Sequence, residues 1–500
     1  MSLKSTLSIP VAKFIRQRMM KSVERPDQAQ AAVFNHLIST AAQTAFGKEH
    51  GFGNISAPRD FKKHVPVRDY ENLKPWLEKV KDGDSDILWP GKPIYLSKTS
   101  GTTSGTKYIP ITSESIHNHI DTARNALLNY IATTGKSKFV GGKMIFLSGS
   151  PELAKTNGIL TGRLSGIVNH HVPGYLRGNQ LPSYDTNCIE DWEMKVDAIV
   201  RETVDKDMRL ISGIPSWVQM YFEKLLKFTG KETILDIFPN FSLFVHGGVN
   251  FSPYKAGFDK LIGGHVDTIE LYPASEGFIA FQDRHDEEGL LLNVDSGVFF
   301  EFIPLDEVHN ENPTRLTLQE VKTGVQYALV LSSNAGLWAY SIGDTVKFIS
   351  TDPYRLIVTG RIKHFISAFG EHVIGEEVDR AMQIAATEFN AEIREFTVAP
   401  QVKPADGLPY HEWFVEFSIP PSDPEGFRNR LDALMQQQNI YYKDLLDGNI
   451  LRTLEVRTVQ QEGFIGYMKS IGKLGGQNKV PRLSNDRKIA DALLSGGWII

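Results

Sequence analysis

The stretch Ser97-Lys-Thr-Ser-Gly-Thr-Thr-Ser-Gly-Thr-Lys107 concentrates hydroxyls, two glycines and a closing lysine between two apolar runs, 93–96 and 108–111. It reads as a turn joining two strands. Gly101 and Gly105 let backbone N–H groups approach an anion. Thr99, Ser100, Thr102, Thr103 and Ser104 offer hydroxyl donors, and Lys107 adds a positive charge. Together they suit phosphate. The same residue types also suit a polar surface hairpin. A P-loop fits less well, because it needs Gly-Lys adjacent, then Ser or Thr and a helix, and Thr106 separates Gly105 from Lys107.

Three further stretches carry chemistry. Tyr272-Pro-Ala-Ser275-Glu276-Gly follows an apolar strand over 266–271, and ligands of open α/β sheets bind where strands end. Tyr272 can stack on a base, Ser275 can bond a phosphate, and Glu276 can hold Mg²⁺, whose hard charge prefers oxygen donors. A strand-end turn with a surface glutamate is the other reading. Tyr340-Ser-Ile-Gly343-Asp344 places a carboxylate beside glycine, and its two oxygens match the spacing of a ribose diol. Gly-Asp is also a frequent turn pair. Gly360-Arg361-Ile-Lys363 stands where the order of helices and strands changes, as a hinge would; a basic loop needs no such role.

The elements that must position these groups follow from periodicity. Helices are expected over 28–46, over 69–81 with Asp69 as N-cap, and over 113–132, where Ile116, Ile120, Ala123, Leu127 and Ile131 share a face. Strands over 144–147, 209–211 and 242–245 alternate with helices over 190–204 and 217–226, the mark of α/β layers with a largely parallel sheet. Strands then dominate over 266–271, 290–294, 298–303, 326–331 and 355–358, a β-rich subdomain. After Gly360 come a helix over 375–389, strands over 395–399 and 412–418, a helix over 424–438 and a strand over 454–459, a small α+β unit. His117, His119 and Arg124 receive no role.

At 500 residues the chain exceeds what one core usually supports. Its net charge of −5 gives no basic field for nucleic acid. Cys188 is the only cysteine, so no internal disulfide forms, and a reducing, cytoplasmic setting fits. No apolar run is long enough to span a bilayer. Lys4, Lys13, Arg16, Arg18 and Lys21 precede any acid, a pattern of a transit peptide, a membrane-surface helix or a basic helix on the domain surface.

Taken in order, the four stretches resemble the adenylate-forming superfamily, whose patterns are a Ser/Thr/Gly-rich loop ending in lysine, Tyr-x-x-Thr/Ser-Glu, Tyr-x-x-Gly-Asp, and Gly-Arg before a mobile C-terminal domain. Thr99 to Lys107 with Tyr272-x-x-Ser-Glu276 is most similar to the Gretchen Hagen family of acyl-acid amido synthetases. The resemblance implies the fold of that superfamily: a large N-terminal α/β domain over 1–362 and a small mobile α+β domain over 363–500. It implies a two-step ligase using ATP and Mg²⁺. A carboxylic acid attacks the α-phosphate to give an acyl-adenylate and pyrophosphate, and an amino acid amine then displaces AMP. By motif position Ser100 to Lys107 hold phosphates, Tyr272 stacks on adenine, Ser275 contacts the α-phosphate, Glu276 binds Mg²⁺, and Asp344 and Arg361 bind ribose. Gly247-Gly248 let backbone approach the nucleotide, though paired glycines also make turns. In the C-terminal loop Lys479 fits the family's Lys-x-Pro-Arg better than Lys473 does, and Arg482 is a second cation there; the motif leaves open which lysine reaches the α-phosphate. An acyl-CoA ligase sharing the first half-reaction is the competing enzyme. A nucleotide-binding sensor without turnover is the competing non-enzyme, opposed by Glu276, Asp344 and the C-terminal lysine.

Overall fold

The computed structural model describes residues 3–500 apart from 101–105, 173, 286, 309, 363, 364, 367, 370, 372, 476 and 477; for Leu3, Ser100, Tyr175, Leu176, Pro253, Phe365 and Ile366 it describes backbone alone. Two compact units emerge. The first comprises Met1–Gly213, Phe238–Gly248 and Val266–Val358, the second Ile214–Ile237, Val249–His265 and Thr359–Ile500. The second thus joins the C-terminal residues to two earlier segments that no shift in composition marks.

In the first unit the described residues form an eleven-stranded sheet. From edge to edge it runs Val298–Pro304, Gln326–Ser333, Leu337–Thr351, Tyr354–Arg361, Leu290–Leu292, Gly277–Phe281, Asp267–Ala274, Leu243–Gly247, Met208–Ser212, Lys143–Phe146 and Gln180–Leu181. The last five strands are parallel neighbours, as expected of α/β alternation. The β-rich part continues the same sheet through antiparallel pairs, so it is joined to the parallel half edge to edge. Val298–Pro304 and Gln326–Ser333 are buried almost throughout, which explains their unbroken apolar runs.

The helix Ser115–Thr134 covers the parallel half, setting Tyr130 and Ile131 against Met144, Leu210, Leu243 and Ile269. It starts at a reciprocal pair, Thr112 N–H to Ser115 Oγ at 2.9 Å and Ser115 N–H to Thr112 Oγ1 at 3.0 Å. It stops at Gly135, whose φ of 71° suits glycine. Asp69 caps Tyr70–Lys81 as expected, accepting from the Asn72 N–H at 3.1 Å. The single helix expected over 28–46 is two, Pro26–Ala41 and Ala45–Glu49, because Thr44 caps a new start by accepting from Gly47 N–H. Buried Gln30 fastens the first of these to the sheet, donating to Val294 O at 2.8 Å and Val298 O at 2.9 Å.

The second unit contains a three-stranded sheet, Glu392–Gln401, Tyr410–Ile419 and Glu455–Val459, with helices Gly375–Glu388 and Pro424–Gln438 closing a core around Met382, Phe396, Trp413 and Leu431. Helices Ile440–Asp447, Gly463–Ser470 and Lys488–Ser495 add to those expected from periodicity. The helix Pro215–Thr229 is tied to this sheet by the ion pair of Glu223 with Arg394.

Candidate functional site

The hydroxyl-rich stretch is a hairpin. Tyr95–Ser100 and Thr106–Ile111 pair antiparallel with Thr99 opposite Lys107 and Ser100 opposite Thr106. Gly101, Thr102, Thr103, Ser104 and Gly105 lie outside the described residues. Lys107 extends its ammonium over the Tyr70 ring, 5.3 Å from the centroid, and the Tyr70 hydroxyl accepts from Tyr108 N–H at 3.0 Å. The aromatic face steadies the ammonium.

The second stretch begins inside its strand and closes at the strand's end. The strand Asp267–Ala274 runs through Tyr272, and Ser275-Glu276 form the two-residue turn into Gly277–Phe281, with Gly277 opposite Ala274. Buried Asn118, from the helix Ser115–Thr134, holds this hairpin by accepting from the Phe278 N–H at 2.5 Å. Sequence reading passed over Asn118 because an asparagine inside a helix signals nothing until its partner is known. Ser97 Oγ, fully buried, donates to Ser275 Oγ at 3.1 Å and so brings the first stretch against the second. Glu276 is half-buried in the same turn.

The third stretch is not a turn. The strand Leu337–Thr351 runs through it, and Ala328 pairs with Thr345 while Val330 pairs with Ser341, so Ile342, Gly343 and Asp344 bulge opposite one residue. Gly343 takes φ 84°, which glycine tolerates. The bulge re-aims Asp344, whose Oδ2 accepts the Tyr272 hydroxyl at 2.7 Å. Three strands separate the two in the sheet order. A flat sheet would hold them about 19 Å apart at about 4.8 Å per strand, so the sheet curls to bring them together.

Gly247 ends its strand, where an added Cβ would stand 2.2 Å from the Leu271 carbonyl oxygen; Gly248 follows with φ 85°. The close approach at Gly247 is therefore to a neighbouring strand. Glu270 stands two residues before Tyr272 on the same strand, opposite His246 in register. Burial pushes its carboxyl up to about 7 and pushes the His246 imidazole down to about 3. His119 is likewise lowered to about 4 by burial and stays neutral. A cluster of three or more metal-ligating side chains is absent among the described residues. No described helix is long and apolar enough to cross a membrane.

In the second unit Arg361 is exposed at the end of its strand, Lys479 and Lys473 are exposed, and Lys363 lies outside the described residues. Arg482 is engaged internally. It meets Asp379 at 2.9 Å and Glu395 at 2.8 Å, donates to Phe396 O at 2.6 Å and the Tyr254 hydroxyl at 2.7 Å, and lies 3.8 Å over the Phe396 ring. These contacts hold the guanidinium within the second unit.

Comparison with known proteins places this geometry in context. The GH3 family N-terminal domain matches residues 15–183, its central domain 291–361 and its C-terminal domain 376–488. Indole-3-acetic acid-amido synthetase GH3.3 of Arabidopsis thaliana is 23% identical over 98% of this chain and 94% of its own length. Jasmonoyl-L-amino acid synthetase JAR4 of Nicotiana attenuata is 21% identical over 64% of this chain and 66% of its own. A solved GH3.15 acyl acid amido synthetase in complex with 2,4-DB superposes with a TM-score of 0.80 at 15% identity, over 98% of this chain and 96% of that one. A 2-hydroxyisobutyryl-CoA ligase superposes at 0.62 with 12% identity, over 94% and 91%. The last two are likenesses of fold. With the fold of the adenylate-forming ligases and three domains that between them take in most of its length, the chain belongs to the GH3 family.

Proposed function

We propose that this protein is an ATP-dependent ligase that activates a carboxylic acid as its acyl-adenylate and passes the acyl group to an amino acid amine, in the cytoplasm. The observation that carries the reading is the convergence of three stretches far apart in sequence, through Ser97 to Ser275 and Tyr272 to Asp344. The amido synthetases among its relatives support the amine as acceptor.

The hairpin from Thr99 to Lys107 cradles the phosphates. The Ser275 hydroxyl faces the α-phosphate, the Tyr272 ring stacks on adenine, and the Asp344 carboxylate exchanges the Tyr272 hydroxyl for ribose hydroxyls. Arg361 adds a second ribose contact. Mg²⁺ fits a single carboxylate when phosphate oxygens supply other donors, so Glu276 suffices to hold it. When bound, it neutralises charge developing on the phosphates. Lys107 and Lys479 stabilise the same charge, which is greater in the transition state than in ATP. The domain over 363–500 carries Lys479 and turns about Lys363 between the half-reactions.

The test is pyrophosphate release over a panel of acids, followed by mass spectrometry of products formed with mixed amino acids and coenzyme A. Amide products with pyrophosphate support the reading; thioester products alone replace it with the acyl-CoA ligase. Asp344→Ala should weaken ATP binding by at least roughly 1–3 kcal/mol while sparing the acid. Unchanged ATP affinity by calorimetry would remove the ribose role.

A further inference from the structure

The helix Leu3–Val23 turns one side to the protein and leaves a distinctive row outside. Inward, Ala12 and Ile9 pack with Tyr130, Ile131 and Phe139. Met19, Met20 and Val23 pack with Ala126 and Phe278, and Arg16 Nε donates to Asn129 Oδ1 at 3.2 Å. Outward, Leu7 is 57% exposed, Val11 54% and Phe14 64%. Their spacing puts them on one line along the helix. Exposed Lys4, Arg18 and Lys21 continue that line at its two ends, exposed Lys13 lies on the flank, and the helix holds neither Asp nor Glu.

A folded domain has no internal reason to place three large apolar side chains in water on one helical row. The charge is as selective as the apolarity, because the chain as a whole carries −5 and this helix carries basic groups alone. The missing partner is therefore both anionic and able to accept apolar side chains without a matching pocket. Nucleic acid meets the first condition and fails the second. A second copy of this chain fails the charge condition at this face, and three side chains fall short of the about 800 Å² per partner that a stable dimer buries. An anionic bilayer surface meets both.

We infer that the outer face of Leu3–Val23 docks the protein reversibly on an anionic lipid surface. Leu7, Val11 and Phe14 enter the boundary between headgroups and acyl chains, and Lys4, Lys13, Arg18 and Lys21 meet lipid phosphates and carboxylates. The helix lies in the plane of the surface, about 31 Å long at about 1.5 Å per residue. One such face by itself gives peripheral and salt-sensitive binding.

The experiment is co-sedimentation of the full chain with vesicles of phosphatidylcholine alone or mixed with phosphatidylserine, at low and physiological salt. The wild type should bind the mixed vesicles, release with salt and ignore phosphatidylcholine. Phe14→Glu should abolish binding, and the double variant Lys13→Glu/Arg18→Glu should lower it by at least about fivefold per charge lost. Both changes are on exposed side chains, and circular dichroism checks that the fold survives. Absence of binding to the mixed vesicles at low salt overturns the inference, as does equal binding by Phe14→Glu. A wild type that is dimeric in lipid-free ultracentrifugation while Phe14→Glu is monomeric assigns the face to self-association and overturns it too.

Discussion

Glu270→Gln isolates the effect of a carboxyl buried without compensation. Glu270 sits on the strand Asp267–Ala274, sharing a face with Tyr272, and burial alone moves its pKa from 4.5 to about 7. Its neighbour in register, His246, is held neutral by its own burial and brings no positive charge. The folded protein therefore holds the Glu270 proton more tightly than the unfolded chain does. The stabilisation is complete below pH 4.5 and is lost as pH rises through 7. The loss is at most about 3 kcal/mol. Glutamine has nearly the same shape and no proton to lose. At pH 4, where the carboxyl is largely neutral in both states, variant and wild type should unfold at nearly the same temperature. At pH 8 the variant should be the more stable by up to about 3 kcal/mol. Differential scanning calorimetry at both values reads the difference, following the transition of the first unit. Equal gaps at the two pH values would refute the reasoning. A variant less stable than wild type at pH 8 would refute it more sharply, since it would mean the carboxylate is charged and well paired.

Gly247→Ala drives a methyl group into the Leu271 carbonyl, 2.2 Å from the built Cβ, and should cost at least about 1–3 kcal/mol; a wild-type Tm would mean that the strand pair yields freely. Arg482→Met leaves Asp379 and Glu395 without their common cation and should destabilise the second unit by about 3–5 kcal/mol, with Arg482→Lys recovering only part. Should Arg482→Met instead keep its Tm and lose pyrophosphate release, Arg482 acts at the phosphate after all.

Much of this was legible in the chain because the signals are local. The helix Pro424–Gln438 begins and ends where its periodicity does, since Asp423 caps it and the pattern stops at Gln438. Tyr70–Lys81 follows Asp69 for the same reason. What escaped depends on partners remote in sequence. Leu290–Leu292 gives no sign that it will join Gly277–Phe281 to Tyr354–Arg361 and so fuse the parallel and antiparallel halves. Arg482 reads only as a second cation beside Lys479, and nothing local shows that it will bond Tyr254, 228 positions earlier, and Glu395, 87 earlier.

The stretches around Tyr272 and Asp344 show why residue type was legible and geometry was not. Tyr272-Pro-Ala looks like a strand end because proline gives no N–H to a ladder. Yet the strand goes on to Ala274, with Pro273 opposite Phe278. Gly343-Asp344 looks like a turn because glycine there requires positive φ, and the requirement is real: φ is 84°. What the local pattern lacks is the partner strand. Paired along Gln326–Ser333, the same glycine makes a bulge instead of a reversal. The difference matters for the site. Side chains alternate faces along a strand, so residues added at a bulge decide which face the following ones take. Asp344 meets Tyr272 through that bulge and the curl of the sheet acting together. The carboxylate and the ring are written in the sequence, but the 2.7 Å between them belongs to the whole sheet.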